Sequence, residues 1–307
     1  MQHFLNSRDL TRSDLLDILD RAEAFLPTVE GRTKLKLAEG KILATLFYEP
    51  STRTRFSFET AMIRLGGNVI SNADMNATSS AKKGETLYDT GKIVSGFANI
   101  IAMRHPQEGS VTEFAKGSSV PVVNAGDGAG DHPTQGLLDI FTIRKCLGRL
   151  DKLTIAMVGD LKNSRVVHSQ CEYLMHFEGI RFILVSPKAL ALPSGLTEKL
   201  KTKFEVQETE NLEEGLIGCD VLSHTRIQKE RFEDPGEYMK FKGVYMLTPE
   251  LMSKAKKEMI VIHPLPRVDE IDPAIDADPR IKYFVQPVYG VAIRMAILAK
   301  LFGLGSL

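Results

Sequence analysis

Apolar positions follow two rhythms along this 307-residue chain. Short β-branched runs stop at turn residues, and after several of them apolar positions recur at i, i+3, i+4 and i+7. Ile42–Phe47 is the first such run and reads as a buried strand that ends before Glu49-Pro50. Phe58, Ala61, Met62 and Leu65 then mark the inner face of a helix, which Leu65-Gly66-Gly67 brings to a stop. A strand begins at residues 68–70, a helix follows over 86–97, and further strands fall at 99–103 and 121–124. The period restarts after a long helix over 134–147: a strand at 153–158, a helix at 164–177, then strands at Arg181–Val185, 221–223 and 259–262. A helix over 288–302, apolar on most faces, closes the chain. At the other end Ser13 is placed to cap a first helix carrying Leu15, Ile18, Leu19 and Ala22 on one face.

Strands alternating with helices at this spacing predict an α/β architecture with parallel sheets. The length accommodates two domains, each with its own core and each a mostly parallel sheet flanked by helices. The long helix joins the two halves. In parallel sheets ligands bind beyond the C-terminal ends of the strands. Arg53, Arg104 and His132 each follow a predicted strand end, so the pattern brings them toward one crevice.

Charge and cysteine content narrow the class. Lys+Arg 39 balances Asp+Glu 39, so any positive field is local, and a nucleic-acid footprint over the whole surface is not expected. The first residues lack a basic segment followed by an apolar one, and no uncharged apolar run reaches the ~18 residues of a membrane span. Cys146, Cys171 and Cys219 are far apart, without a C-x-x-C pair. That spacing suits a reducing compartment and argues against a zinc site. The expectation is a soluble cytoplasmic protein with neither metal nor organic cofactor. Gly126-Asp127-Gly128-Ala129-Gly130-Asp131 misses the dinucleotide fingerprint by its last glycine, and no phosphate-binding P-loop or nucleophile elbow is present. The seven histidines lack metal-ligand spacing. Asp127, Asp131 and Asp160 read as turn residues.

The most informative stretch surrounds the start of the second helix. Ser51 stands at the N-cap position after Pro50, and Arg53 and Arg55 fall in the first turn, where cations oppose the helix dipole. An anion docked there would remove the conflict. It would be held by free backbone N–H groups, the hydroxyls of Ser51, Thr52 and Thr54, and a guanidinium. Read without an anion, the same segment is an ordinary helix start with two solvated arginines.

FYEPSTRTRFSFE in this sequence resembles the carbamoyl-phosphate motif of the aspartate and ornithine transcarbamoylase superfamily, whose core is S-T-R-T-R. The resemblance extends from about Phe4 to about Phe302. It implies two domains: residues 1–133 with 286–307 for carbamoyl phosphate, and 134–285 for the second substrate, with the last helix returning to pack on the first. It implies that Ser51, Thr52, Arg53, Thr54 and Arg104 bind the phosphate, and that Thr54, Arg104 and His132 surround the carbonyl oxygen. Gln135 and the backbone carbonyls of Pro264 and Leu265 would then accept from the carbamoyl NH2. The family carries a cis bond where this chain has Leu265-Pro266.

Three segments bear on which amine attacks. Ser79-Ser80-Ala81-Lys82-Lys83-Gly84-Glu85-Thr86 resembles a loop that, in the aspartate branch, reaches into a neighbouring subunit's site with Ser79 and Lys83. His263-Pro264-Leu265-Pro266-Arg267 is similar to the H-P-L-P-R of that branch. Arg165, Arg226 and Gln228 match residues that grip two carboxylates, for which guanidinium forks are suited, and with Lys83 they make a dicarboxylate site by resemblance. The resemblance thus implies carbamoyl transfer to L-aspartate in pyrimidine synthesis by a homotrimer with shared sites; any regulatory subunit would be a separate chain. The alternatives are a transcarbamoylase for another amine such as ornithine, and a two-domain anion-binding protein without turnover. Lys162-Asn163-Ser164-Arg165 departs from the K-Y-G-R common in the family, Gly136 follows H-P-T-Q, and Tyr289 stands where asparagine is common.

Overall fold

The computed structural model describes residues 2–77, 83–128, 130–232 and 234–305. Contacts divide the chain into two units, Met1–Phe141 with Pro287–Leu307, and Thr142–Gln286. Each unit is an α/β layer structure built on a parallel sheet.

In the first unit, α1 (Arg12–Val29) precedes β1 (Ile42–Phe47), α2 (Thr52–Arg64) and β2 (Asn68–Asn72). Then come α3 (Leu87–Val94), β3 (Ile100–His105), α4 (Ser110–Gly117), β4 (Val122–Asp127) and α5 (Pro133–Leu147). The strands run in the order β2-β1-β3-β4, all neighbours parallel. β1, β3 and β4 are buried along most of their length, as expected of strands covered on both faces. Ala44, Leu46, Ile101, Met103, Val111, Phe114 and Val122 form a core on one side of this sheet. Fully burying a side chain of Phe114's kind contributes ~1.5–3 kcal/mol.

The second unit continues with β5 (Thr154–Val158), α6 (Arg165–Leu174), β6 (Arg181–Val185), α7 (Ser194–Lys201), β7 (Glu205–Thr209), α8 (Leu212–Leu216) and β8 (Val221–His224). Two short helices, α9 (Pro235–Met239) and α10 (Pro249–Lys254), lead to β9 (Ile260–Ile262); the closing helix α11 (Gln286–Leu301) belongs, from Pro287 on, to the first unit. Its sheet order is β7-β6-β5-β8-β9, again parallel. Ala156, Ile183, Leu222, Tyr245, Met259, Val261 and Tyr283 belong to its core.

The structure corrects several local expectations. Thr11, not Ser13, caps α1: its hydroxyl accepts from Asp14 N, and the Asp14 carboxylate reaches back to the Thr11 N–H. Such a capping box satisfies two orphan donors at once, so it wins over an isolated serine. The helix expected over 86–97 ends at Val94, with Ser95 as its C-cap. Arg104 lies within β3 rather than after it. α4 and the edge strand β7 were not expected. β7 is half exposed and reads Glu-Val-Gln-Glu-Thr, which hides a strand among polar residues. The contact division itself falls at Phe141, inside α5. Phe141 packs edge-on against Tyr289 of α11 at 5.6 Å, which draws the first part of α5 into the first unit.

α11 returns to α1 through Lys300, which bridges Asp14 at 3.1 Å and Asp17 at 2.7 Å, and Arg21 donates to the Leu304 carbonyl. No helix of the described residues is long and apolar enough to cross a membrane. Among them, no group of His, Cys, Asp and Glu could hold a metal ion.

Candidate active site

In the first unit the C-terminal ends of β1, β3 and β4 lie side by side, with Phe47 opposite Arg104 and His105 opposite Asp127. The chain leaves β1 through Tyr48, whose N–H donates to the Arg104 carbonyl at 2.8 Å, and turns at Pro50 into α2. Ser51 is the N-cap residue in extended conformation, but its hydroxyl makes no capping hydrogen bond. It therefore leaves the first N–H groups of α2 for another acceptor. Thr52 and Arg53 are exposed and Thr54 is buried.

The two first-turn arginines differ. Arg55 donates to Ser71 Oγ at 3.1 Å and lies 3.6 Å from Glu59 Oε1, so its charge is neutralised within the unit. Arg53 experiences only partial desolvation, which lowers its pKa from the usual arginine value. Arg104 is mostly buried and pairs with Glu49 Oε2 at 2.7 Å.

His132 follows β4 and is 5% exposed; its carbonyl accepts from the N–H groups of Gln135 and Gly136 and so starts α5. Gln135 Nε2 donates to the buried Asp139 carboxylate at 3.0 Å. That bond fixes the amide so that Oε1 is left as an acceptor. Residues 51–54, Arg104, His132 and Gln135 thus all stem from three adjacent strand ends of one sheet.

The second unit repeats this logic. Val158 of β5 is opposite His224 of β8, and Ser223 is opposite Ile262 of β9. Arg165 follows β5, Arg226 and Gln228 follow β8, and Pro264 and Leu265 follow β9. Where β5 ends, Gly159 takes φ +114°, and a Cβ there would lie 2.0 Å from the Thr225 carbonyl oxygen. Only glycine lets the two chain segments approach this closely. Asp160 is fully buried and accepts from Asn163 N and Nδ2 and from Gln228 N. Burial pushes its pKa up against those hydrogen bonds. The carboxylate therefore ties the segment carrying Arg165 to the one carrying Gln228. Ser164, a departure from the family pattern, is the N-cap of α6 and accepts from Val167 N, which puts Arg165 at the first helical position.

Arg226 is held by Glu230 one turn later: Nη1 donates to Oε2 at 3.0 Å and Nη2 to Oε1. The pair raises the Arg226 pKa and lowers that of Glu230. Leu265 has φ +54° and is joined to Pro266 by a cis bond. Its N–H donates to His263 Nδ1 at 2.8 Å, which leaves the ring proton on Nε2, 2.8 Å from Glu270 Oε1. Burial would raise the Glu270 pKa, but His263 outweighs it and the net value falls to about 2. Lys83 is exposed, and Ser79 lies outside the described residues.

Glu49, Glu230, Asp160, His263 and Glu270 shape these sites, and the sequence reading assigned a site role to none of them. Glu230 was detectable as a carboxylate four residues beyond Arg226, the spacing of a helical ion pair. Glu49 adjoins the phosphate motif, yet nothing in the motif says which arginine it meets.

The family described as aspartate/ornithine carbamoyltransferase matches over most of the chain. Its carbamoyl-P binding domain covers residues 2–145 and its Asp/Orn binding domain residues 151–301. The aspartate carbamoyltransferase catalytic subunit of Archaeoglobus fulgidus is 53% identical over 300 residues, 98% of this chain and 99% of that protein. The structure of the catalytic subunit of M. jannaschii aspartate transcarbamoylase superposes with a TM-score of 0.92 at 50% identity, covering 99% of this chain and 98% of the other. Trypanosoma cruzi aspartate transcarbamoylase with carbamoyl phosphate and aspartate gives 0.90 at 40% identity, covering 97% and 95%. With a parallel sheet in each unit and these matches along nearly its whole length, the chain belongs to the aspartate/ornithine carbamoyltransferase family.

Proposed function

We propose that this chain transfers the carbamoyl group of carbamoyl phosphate to the α-amine of L-aspartate, giving N-carbamoyl-L-aspartate and phosphate, a step that supplies pyrimidine synthesis. The observation that carries the reading is the gathering of the residue 51–54 turn, Arg104, His132 and Gln135 at three neighbouring strand ends. In this scheme Ser51, Thr52, Arg53, Thr54 and Arg104 hold the phosphate. Thr54, Arg104 and His132 donate to the carbonyl oxygen, where negative charge develops as the amine attacks. Gln135 Oε1 and the carbonyls of Pro264 and Leu265 accept from the carbamoyl NH2. Arg165, Arg226 and Gln228 take the two carboxylates of aspartate. The new C–N bond forms as the C–O bond to phosphate breaks, and the departing phosphate takes the amine proton. The scheme draws on no metal or organic cofactor.

The domains then divide the work, residues 1–133 and 286–307 binding carbamoyl phosphate and 134–285 binding aspartate. The working unit is a cytoplasmic homotrimer in which Ser79 and Lys83 complete the site of a neighbouring copy. Phe56, Ile63 and Ile70, on α2 and the edge strand β2, are 52%, 62% and 42% exposed, an apolar surface in keeping with such an interface. Phosphate release and carbamoyl-aspartate formation on adding both substrates test the activity. Turnover with ornithine and not aspartate would overturn the assignment. Mixing His132→Ala chains with Lys83→Ala chains should restore part of the activity, and verified mixed trimers without recovery would refute the shared site.

A further inference from the structure

The first unit holds a buried cation outside the residues assigned to the substrates. Arg294, in the middle of α11, is 3% exposed. Its hydrogen bonds go to neutral oxygens: Nη1 donates to Ser57 Oγ and to the Gly290 carbonyl, each at 3.1 Å, and Nη2 to Thr134 Oγ1 at 3.5 Å. The guanidinium carbon lies 5.0 Å from the centre of the Phe58 ring, and Nε has no hydrogen-bond partner among the described residues. Gly290 makes room for this arrangement. A Cβ there would stand 2.7 Å from Arg294 Nη1 and 3.7 Å from Ser57 Oγ.

The partners identify what the contact does. Ser57 lies one helical turn beyond Thr54 on α2, the helix whose start is assigned to the phosphate. Thr134 lies between His132 and Gln135 at the start of α5. One rigid, planar donor group therefore reaches both helices that carry the substrate-facing residues of this unit, from a third helix far along the chain. Burying a charge without a carboxylate in contact is unfavourable, and folds tolerate it where it fixes a geometry. Desolvation lowers the Arg294 pKa to about 10 against the field of the buried Asp139 carboxylate on α5, which leaves the group charged at neutral pH. Asp139 offsets part of its positive charge; the remainder adds to the partial charges at the starts of α2 and α5 and favours an anion there.

We propose that Arg294 is a positioning residue for the carbamoyl-phosphate half of the reaction. It sets the spacing between the residue 51–54 turn and His132, and its charge raises the affinity of the first unit for a dianion. The proposal rests on the functional reading above, and Gly290 belongs to it as the residue that seats the guanidinium.

The test compares Arg294→Met, Arg294→Lys and the double variant Ser57→Ala/Thr134→Val in the full chain. Inorganic phosphate binding is measured by calorimetry, and kcat and both KM values by carbamoyl-aspartate formation. Arg294→Met should weaken phosphate binding and raise the carbamoyl-phosphate KM at least tenfold, and lower kcat by up to ~10²-fold through misplacement. The aspartate KM at saturating carbamoyl phosphate should change less than about twofold, because Arg165, Arg226 and Gln228 lie in the other unit. Arg294→Lys, which keeps the charge, should recover phosphate binding more fully than kcat. A folded Arg294→Met protein with unchanged phosphate affinity overturns the proposal. So does an equal loss toward both substrates that Arg294→Lys does not relieve. If Arg294→Met does not fold, the double variant decides: a several-fold rise in the carbamoyl-phosphate KM supports the proposal and no change overturns it. A wild-type protein that binds phosphate but makes no carbamoyl-aspartate would sink the functional reading alone, and the phosphate-binding comparison would still test Arg294.

Discussion

At the scale of single residues, two of the guanidiniums proposed for the reactants are paired with carboxylates of the chain, Arg104 with Glu49 and Arg226 with Glu230. A substrate carboxylate that reaches the Arg226 fork exchanges one charged acceptor for another. The fork is thus held ready in a planar, bidentate geometry. Arg226→Met should raise the aspartate KM by ~10–10²-fold, the value of a charge-assisted hydrogen bond or two, with a smaller effect on the carbamoyl-phosphate KM. His132→Ala should act differently, lowering kcat by ~10²–10³-fold if its ring donates to the oxyanion. Steady-state kinetics on both variants separates the roles, and equal losses confined to kcat would show that Arg226 has been misassigned. The residues proposed for the phosphate stood out in the sequence because two arginines in the first turn of a helix oppose its dipole unless an anion is present. The carboxylate partners of Arg104 and Arg226 did not. Glu49 and Glu230 look like solvated charges until the fold shows what they touch.

At the scale of elements, the strands buried on both faces were the easiest to read: Ile42–Phe47 and Arg181–Val185 are apolar throughout or nearly so, and turn residues bound them. β7 escaped because an edge strand with half-exposed faces need not alternate cleanly. The cap of α1 was misplaced because Thr11 and Ser13 are both good caps, and only the reciprocal bond from Asp14 decides between them. The join between β5 and β8 shows what an element boundary does for function. Gly159 lets the chain after β5 touch Thr225, and Asp160 then fastens Asn163 and the Gln228 N–H. Gly159→Ala places a methyl group on the Thr225 carbonyl in a backbone region that side chains disfavour, a strain of ~1–3 kcal/mol or more. The expected result is a lower denaturant midpoint together with a raised aspartate KM, since the segments carrying Arg165 and Arg226 must part. A stable Gly159→Ala protein with wild-type aspartate kinetics would show that the close approach has no part in presenting those arginines.

At the scale of the whole molecule the formal charge is zero at pH 7, so net repulsion builds only as carboxylates protonate, and at mildly acid pH a few buried groups shape the stability. The second unit contains two of them. His224 is fully buried, donates from Nε2 to the Tyr245 carbonyl at 2.9 Å, and has its pKa lowered to about 4 by burial and by His263. The unfolded chain therefore binds more protons than the folded one between about pH 6.5 and about pH 4. Stability must fall as the pH drops through that window, by an amount that can reach ~3 kcal/mol. Glu270 acts below it. Its folded value of about 2 is depressed from 4.5, so its contribution is complete above pH 4.5 and is lost as the pH falls toward 2. The two losses join into one long decline on the acid side. Amide exchange in β8 and β9 reports the opening of this unit by itself, which avoids assuming that both units unfold together. Protection in those strands should decrease steadily from pH 6.5 downward after correction for intrinsic exchange. His224→Asn should flatten the upper part of the decline and Glu270→Gln the lower part. Protection that holds level between pH 6.5 and 4.5 in the wild-type protein would mean that His224 takes up its proton without opening the fold, and the buried pair would then have no hold on acid stability.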